Sequence, residues 1–198
     1  MSDTRIHPMA VVEPGAEIGP GCEIGPFAVI GPEVRLGAGV VVKPHGVVTG
    51  WTEVGDESII FSGAVVGEVP QDLKFRGERT RLVVGKRCRI REGATLNTGT
   101  EGGGGVTRVG DDVLIMTGAH VGHDAQIGDR VILVNNVAIA GHCVLGDDVI
   151  VGGLSGVHQF VRIGRLGMVG AVSMVRQDVP PYVLVAGVPA RAHSLNVV

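Results

Sequence analysis

An aliphatic residue recurs at every sixth position along most of the chain. The series is interrupted twice, and its frame shifts by one residue after the second interruption. All 26 positions hold Ile, Val or Leu, and we interpret them as inward-facing. In chain order they are Ile6, Val12, Ile18, Ile24, Ile30, Leu36, Val42, Val48, Val54, Ile60, Val66, Val84, Ile90, Leu96, Val109, Ile115, Val121, Ile127, Leu133, Ile139, Leu145, Val151, Val157, Ile163, Val169 and Val175.

Each six-residue unit, counted from its inward aliphatic residue as the first place, restricts other places too. The fifth place is small, as at Ala16, Cys22 and Ala119, and the second is often glycine, as at Gly19 and Gly110. We attribute these glycines to a corner that needs unusual backbone dihedrals. A period of six fits neither an amphipathic helix nor a hairpin array, and it is typical of a parallel β-helix. Three units complete a triangular coil, so residues 18 apart should stack at about 4.8 Å.

Two segments interrupt the series and predict loops that leave the stack. The first falls at about residues 67–83 and the second at about 97–108, where four glycines are consecutive. Near the end of the chain, two adjacent prolines at 180–181 disfavour further regular strand pairing. We therefore predict an all-β architecture, with a β-helix domain over residues 1–180 and a C-terminal extension over 181–198.

Charge and composition narrow the range of functions. The net charge is −3, so nothing global favours binding to nucleic acid or to an anionic membrane. The chain does not open with a basic flank before an apolar run, and no stretch of about 18 apolar residues predicts membrane insertion. The three cysteines, Cys22, Cys88 and Cys143, lack metal-like spacing. We predict a soluble cytoplasmic protein that binds neither nucleic acid nor membrane.

Histidines are concentrated on consecutive predicted coils, beginning with His120 and His123. A histidine can take a proton from a hydroxyl when an acceptor holds its other ring nitrogen. Asp124 supplies that acceptor only if the corner brings the two side chains together, because neighbours in an extended strand point apart. The stacking rule places Gly141 above His123, where its N–H is able to face a developing oxyanion.

The next two coils carry His142, His158 and Gln159 close to the same column. Three of these clustered histidines are also compatible with an open zinc site. Both a catalytic base and a zinc site remain open from spacing alone. Our assignment is the catalytic base, with no metal ligand.

Residues 74–91 contain eight of the 17 basic residues of the chain. The segment predicts either a solvated loop and coil edge or a docking strip for an acidic partner or a pyrophosphate. The eight residues are Lys74, Arg76, Arg79, Arg81, Lys86, Arg87, Arg89 and Arg91.

Six motifs between Ile6 and Asn196 resemble the acyl-carrier-protein-dependent UDP-N-acetylglucosamine O-acyltransferases of lipid A biosynthesis. The motifs are GEVPQDLKFRGE, NTGTEGGGG, GAHVGHD, LVNNVAIAGH, SGVHQF and QDVPPY. The resemblance implies a left-handed β-helix that forms a homotrimer with sites between subunits. It also implies transfer of an (R)-3-hydroxyacyl group from acyl carrier protein to the 3-hydroxyl of UDP-N-acetylglucosamine, with no cofactor beyond the carrier's thioester.

The same resemblance implies roles for individual residues. His123 matches the general base, Asp124 matches its partner, and Gly141 matches the oxyanion donor. The positions that match contacts to the sugar nucleotide or acyl donor are Asp72, Lys74, Asn97, His120, His142, His158, Gln159 and Asn196.

Three features depart from the family pattern. Asn97 stands where a well-known form of the family has histidine, which leaves open whether the acceptor carries a 3-hydroxyl or a 3-amino group. Ala171 occupies a place that resembles the glycine of some family members at the far end of the acyl groove, so we predict a somewhat shorter preferred acyl chain. The family normally continues into a C-terminal helical domain, whereas this sequence ends at Val198.

Rival functions follow from the same repeat. A related β-helix N-acyltransferase or an acetyl-coenzyme A dependent acetyltransferase would differ in donor or acceptor. A γ-carbonic-anhydrase-like protein would bind zinc stoichiometrically, and a scaffold or binding module would lack turnover.

Overall fold

The computed structural model describes residues 3–196 and is a left-handed parallel β-helix of triangular cross-section. Within those residues one 3-10 turn, Glu101–Gly103, is the sole helical element, and no helix is long and apolar enough to span a membrane. The strands β1 to β28 are, in order, Arg5–Ile6, Val11–Val12, Glu17–Ile18, Glu23–Ile24, Val29–Ile30, Arg35–Leu36, Val41–Val42, Val47–Val48, Trp51–Val54, Ile59–Ile60, Val65–Glu68, Arg81–Val84, Arg89–Ile90, Thr95–Asn97, Val106–Val109, Leu114–Ile115, His120–Val121, Gln126–Ile127, Ile132–Leu133, Ala138–Ile139, Val144–Leu145, Ile150–Val151, Gly156–Val157, Arg162–Ile163, Met168–Val169, Met174–Val175, Val183–Gly187 and Ala190–Leu195.

Three sheets form the faces of the prism. Sheet A has the order β1-β4-β7-β10-β13-β16-β19-β22-β25-β27-β28, and sheet B has the order β2-β5-β8-β11-β14-β17-β20-β23-β26. Sheet C has the order β24-β21-β18-β15-β12-β9-β6-β3. In uninterrupted stretches the paired residues are 18 apart, as in Val121↔Ile139. The stacking rule predicted from the hexapeptide period is therefore confirmed.

The inward series forms one continuous core. Every residue of the series from Ile24 onward is buried, whereas Ile6, Val12 and Ile18 are partly exposed at the open first coil. The small fifth place is buried as well, as at Ala119 and Cys143. Branched aliphatic side chains therefore fill the prism in place of large aromatic ones.

The prediction that the second-place glycines adopt unusual backbone dihedrals is wrong. Positive φ angles occur at the fourth place of the unit, often in non-glycine residues such as His45 and Asp124. The second-place glycines are needed for space, because a Cβ on Gly110 would lie 2.7 Å from the backbone of Gly128 in the next coil. At these glycines a side chain would therefore run into the next coil, and the corner turns two residues later.

Both predicted loops are present. The first occupies residues 69–80 between β11 and β12, and the second occupies residues 98–105 between β14 and β15. The Nδ2 atom of Asn97 donates to the carbonyls of Glu68 and Val69, at 3.3 and 2.9 Å. The root of the second loop therefore holds the start of the first.

The prediction that regular pairing ends before the two prolines is wrong. After Pro181 the chain returns to sheet A, where β27 pairs in parallel with β25. It then turns at Val188–Pro189 into β28, which runs antiparallel to β27. Both prolines precede the strand, so neither interrupts its hydrogen bonds.

Candidate active site

The corner between sheets B and C carries a histidine–aspartate pair. Nδ1 of His123 lies 2.8 Å from Oδ2 of Asp124. Asp124 has φ of 60°, so the chain turns at this residue and does not continue as a strand. The turn brings two consecutive side chains to the same side, and the Asp124 side chain is only 1% exposed. The pairing that spacing alone left open is therefore present.

Gly141 stacks on His123, as the 18-residue rule predicts. A Cβ built on Gly141 would lie 2.6 Å from both Cε1 and Nε2 of the His123 ring. The Gly141 N–H has no protein acceptor among residues 3–196. Other units have proline at this third place, as at Pro20 and Pro32, because the strand ladder does not use that amide. The site thus combines a ring nitrogen with an uncommitted backbone donor.

Two further histidines flank the pair. The His142 ring makes an edge contact with His123, with centroids 4.9 Å apart, and stacks on Phe160 at 4.5 Å. Its Nδ1 lies 3.9 Å from Oδ2 of Asp124. On the strand before the corner, Nδ1 of His120 lies 2.8 Å from Oγ1 of Thr95.

The pKa of His120 is lowered from its ordinary value of 6.5, chiefly by burial and secondarily by the charge of His123. The unfolded chain therefore binds this proton more readily, so the stability that His120 contributes is lost as pH falls through 6.5. We expect the melting temperature of the wild type to fall more between about pH 7.5 and about pH 5.5 than that of His120→Gln. His45→Gln, at an exposed ring on an early coil, is the control. Equal slopes for the wild type and His120→Gln would contradict the prediction.

Sequence reasoning missed the residues that hold Asp124. The N–H and the hydroxyl of Thr100 both donate to the Asp124 carboxylate. The backbone N–H of Asp124 donates to Oγ1 of Thr107 at 2.7 Å. The four consecutive glycines were the available signal, because a Cβ on Gly103 would overlap the Asp124 carboxylate.

Other candidate residues lie outside this cluster. Asp72 and Lys74 are in the first loop and, within residues 3–196, make no hydrogen bond or ion pair with a histidine. The Asn196 side chain donates to Leu166 O at 2.7 Å, on the corner between sheets C and A. Asn97 is 3% exposed, and its buried Oδ1 lacks a protein donor within the described chain.

The remaining candidates lie on later coils. His158 and Gln159 are exposed, two coils along from His123, and Nδ1 of His158 lies 3.1 Å from the Gln159 carbonyl. Ala171 is exposed at the corner between sheets A and B. One chain thus brings together the histidine–aspartate pair, Gly141 and the flanking histidines, but not the whole predicted set.

Four of the eight basic residues in the segment 74–91 have their charge paired with a carboxylate. Arg81, Lys86, Arg87 and Arg91 each form an ion pair with a carboxylate. The Arg76 guanidinium donates to backbone carbonyls of the first loop. Exposed pairs of this kind contribute little stability but remove net charge from the surface.

The geometry at the pair is that of a hydrogen bond. Ligand atoms of His123, Asp124 and His142 lie within 4.8 Å of one another, a spread that a metal ion could use. Two ligands at about 2.0–2.1 Å from a tetrahedral zinc ion, however, lie about 3.3 Å apart. The 2.8 Å separation of His123 and Asp124 is shorter and matches a charge-assisted hydrogen bond.

This chain matches one family model and is similar in sequence to curated proteins. The family model for bacterial transferase hexapeptide (six repeats) matches residues 1–32, 17–50 and 107–141. An acyl-[acyl-carrier-protein]–UDP-N-acetylglucosamine O-acyltransferase from Anaeromyxobacter sp. (strain Fw109-5) is 56% identical over 193 residues, covering 98% of this chain and 75% of that protein. The protein of the same name from Paracoccus denitrificans (strain Pd 1222) is 68% identical over 140 residues, covering 71% of this chain.

Solved structures agree with the sequence relatives. A UDP-N-acetylglucosamine acyltransferase from Campylobacter jejuni superposes with a TM-score of 0.94 at 42% identity, covering 97% of this chain and 75% of that one. The present chain spans 54% of the length of the Paracoccus relative. The matched portion includes the corner with the histidine–aspartate pair.

Proposed function

This chain belongs to the family of acyl-carrier-protein-dependent UDP-N-acetylglucosamine O-acyltransferases, and from that membership we propose that it catalyses the first step of lipid A biosynthesis. It transfers an (R)-3-hydroxyacyl group from acyl carrier protein to the 3-hydroxyl of UDP-N-acetylglucosamine. The observation that carries the proposal is the His123 ring, which is held by Asp124 at Nδ1 and lies against Gly141.

The geometry supports direct transfer without a covalent enzyme intermediate. The Nδ1–H of His123 donates a hydrogen bond to Asp124, which leaves Nε2 free to take the proton of the sugar 3-hydroxyl. The sugar oxygen then bonds to the thioester carbon while the Gly141 N–H donates to the developing oxyanion. When the C–S bond breaks, His123 returns the proton to the carrier's sulfur, giving a sugar ester and a free thiol.

The flanking residues hold the substrates. His120 and His142 lie beside the base and contact the sugar, and His158 with Gln159 extends the binding surface along the stack. Asp72 and Lys74 in the first loop, together with Asn196, serve the site of a neighbouring copy. This assignment is supported by Asn196, which lies on the corner between sheets C and A, and by Asp72 and Lys74, which make no hydrogen bond or ion pair with a histidine within residues 3–196.

A homotrimer fits the outer surface of sheet A. Along this face, large aliphatic side chains point outward and are half-buried in one row, which is unusual for a surface exposed to water. The row runs from Ile59, past the exposed Arg89, to Leu114, Ile132, Ile150, Met168 and Leu184. Packing this face against the active-site corner of the next copy closes a ring of three and encloses each site in a cleft. Light scattering should give about three times the chain mass of 20.4 kDa, and a monomer at assay concentration would contradict the assembly.

The protein acts in the cytoplasm. All three cysteines are free and buried, as is usual in a reducing compartment.

Ala171 should limit the acyl chain length. Its methyl group lies at the exposed corner between sheets A and B, three coils beyond the coil that carries His123. Removing this methyl group should lengthen the groove, so we expect Ala171→Gly to shift the preferred donor toward a longer acyl chain. One methylene in an apolar groove changes discrimination by about 10- to 200-fold. Competition between donors of different length measures the shift, and Ala38→Gly, at the same place of an early unit, is the control. An unchanged donor preference in Ala171→Gly would contradict this role.

Mass spectrometry of the product tests the function. Purified protein should convert UDP-N-acetylglucosamine and a mixture of hydroxyacyl carrier proteins to an O-acylated sugar nucleotide. A parallel reaction with the 3-amino analogue distinguishes the two acceptors that Asn97 leaves open. Turnover with acetyl-coenzyme A but not with the acyl carriers would overturn the proposal in favour of an acetyltransferase.

A further inference from the structure

The Asp124 carboxylate is held by a single residue of the second loop. The N–H of Thr100 lies 2.9 Å from Oδ1 and 3.1 Å from Oδ2, and the Thr100 hydroxyl donates to Oδ2 at 2.6 Å. The same Oδ2 accepts a hydrogen bond from Nδ1 of His123, and the two atoms lie 2.8 Å apart. Thr100 is itself 7% exposed, so water has little access to replace its hydroxyl.

The second loop is built to make this contact. A Cβ on Gly99 would lie 2.8 Å from Oδ1 of Asp124, and a Cβ on Gly103 would overlap the carboxylate. The loop is also anchored at its root, where Oγ1 of Thr80 lies 3.2 Å from Oγ1 of Thr98. The backbone on both sides of Thr100 therefore lies close to the Asp124 carboxylate, and a hydrogen bond at the root of the loop helps to hold it there.

The nearby titratable groups are histidines. His142 Nδ1 lies 3.9 Å from Oδ2 of Asp124, and His120 lies on the strand that leads into the corner. Within residues 3–196, Asp124 has no lysine or arginine as an ion-pair partner. The hydrogen bonds from Thr100 therefore orient this buried carboxylate.

We propose that Thr100 is a positioning residue for acyl transfer. By fixing the Asp124 carboxylate it keeps the His123 proton on Nδ1, so that Nε2 always faces the acceptor hydroxyl. The kinetic part of this inference rests on the proposed function. The part that concerns the His123 tautomer does not.

Thr100→Val and Thr100→Ala both remove the hydroxyl, and Thr100→Ser keeps it. A hydrogen bond to a charged group corresponds to about 10- to 100-fold in rate, so we expect kcat of the Val and Ala variants to fall by that factor with KM nearly unchanged. The Ser variant should recover most of kcat. Ser58→Ala, which removes a buried hydroxyl that bonds to Gly85 and Cys88 and not to the second loop, should retain the kcat of the wild type.

Nitrogen NMR of 15N-histidine protein reads the tautomer directly, with the His123 signal assigned by its loss in His123→Gln. The wild type and Thr100→Ser should show the Nδ1–H form, whereas the Val and Ala variants should show a mixture. This measurement needs no substrate, so it separates failure of the positioning role from failure of the proposed function. Wild-type kcat in both variants, or an unmixed Nδ1–H tautomer in them, would overturn the proposal.

Discussion

Replacing His123 by alanine is expected to lower kcat by about 10²- to 10⁴-fold, the usual contribution of a general base. The loss arises because Nε2 of His123 is the ring nitrogen left free when Asp124 holds Nδ1. The measurement is the rate of sugar-ester formation at saturating substrate, together with a melting curve to show that the fold is intact.

The matched control for this loss is His45→Ala. His45 lies on an early coil at a different corner, between sheets A and B, where its ring stacks on Phe27 with centroids 5.0 Å apart. It should leave kcat unchanged. Retention of more than about a tenth of the wild-type rate by His123→Ala would contradict the general-base assignment.

Gly141→Ala should lower kcat by about 10²-fold, because a displacement of about 1 Å at a reacting group has an effect of that size. The new methyl group would lie 2.6 Å from the His123 ring, so the imidazole has to move. Gly141 has no left-handed backbone angle, so alanine introduces no conformational strain of its own. Steady-state kinetics measures the change.

Gly102→Ala is the control for that substitution, since a Cβ there meets nothing within 4 Å. It should retain wild-type kinetics and melting temperature. If Gly141→Ala also kept wild-type kcat, the close stacking of the glycine on the base would have no catalytic significance.

The core and the vertical order of the site could be predicted from sequence. A β-helix repeats one backbone geometry, so the inward place of Ile24 also describes that of Val121. The same repetition puts Gly141 above His123 without any knowledge of side-chain contacts. Periodicity is informative here because each strand pairs with the strand three units later.

The orientation of Asp124 could not be predicted from the same repeat. Alternation along a strand sends neighbouring side chains to opposite faces, and it fails where the backbone adopts a φ of 60°. The second loop was unpredictable for a different reason. It shifts the frame, so that Thr95 pairs with His120 at a separation other than 18, and no periodic rule places Thr100 on Asp124.

The end of the chain shows the limit of residue-type rules. Prolines 180–181 suggested that pairing had finished, but β27 begins after them and rejoins sheet A through Leu184. A proline excludes hydrogen bonds only at its own amide, so its effect depends on strand boundaries that the sequence does not mark.

The strand that carries His120 is sixth of nine in sheet B. Rungs of a solenoid contact only their neighbours, so thermal opening at the first coil, where Ile6, Val12 and Ile18 are partly exposed, travels along the stack one rung at a time. Such fraying must undo five strands of sheet B before it reaches the imidazole. The proposed site is therefore insulated from this coil.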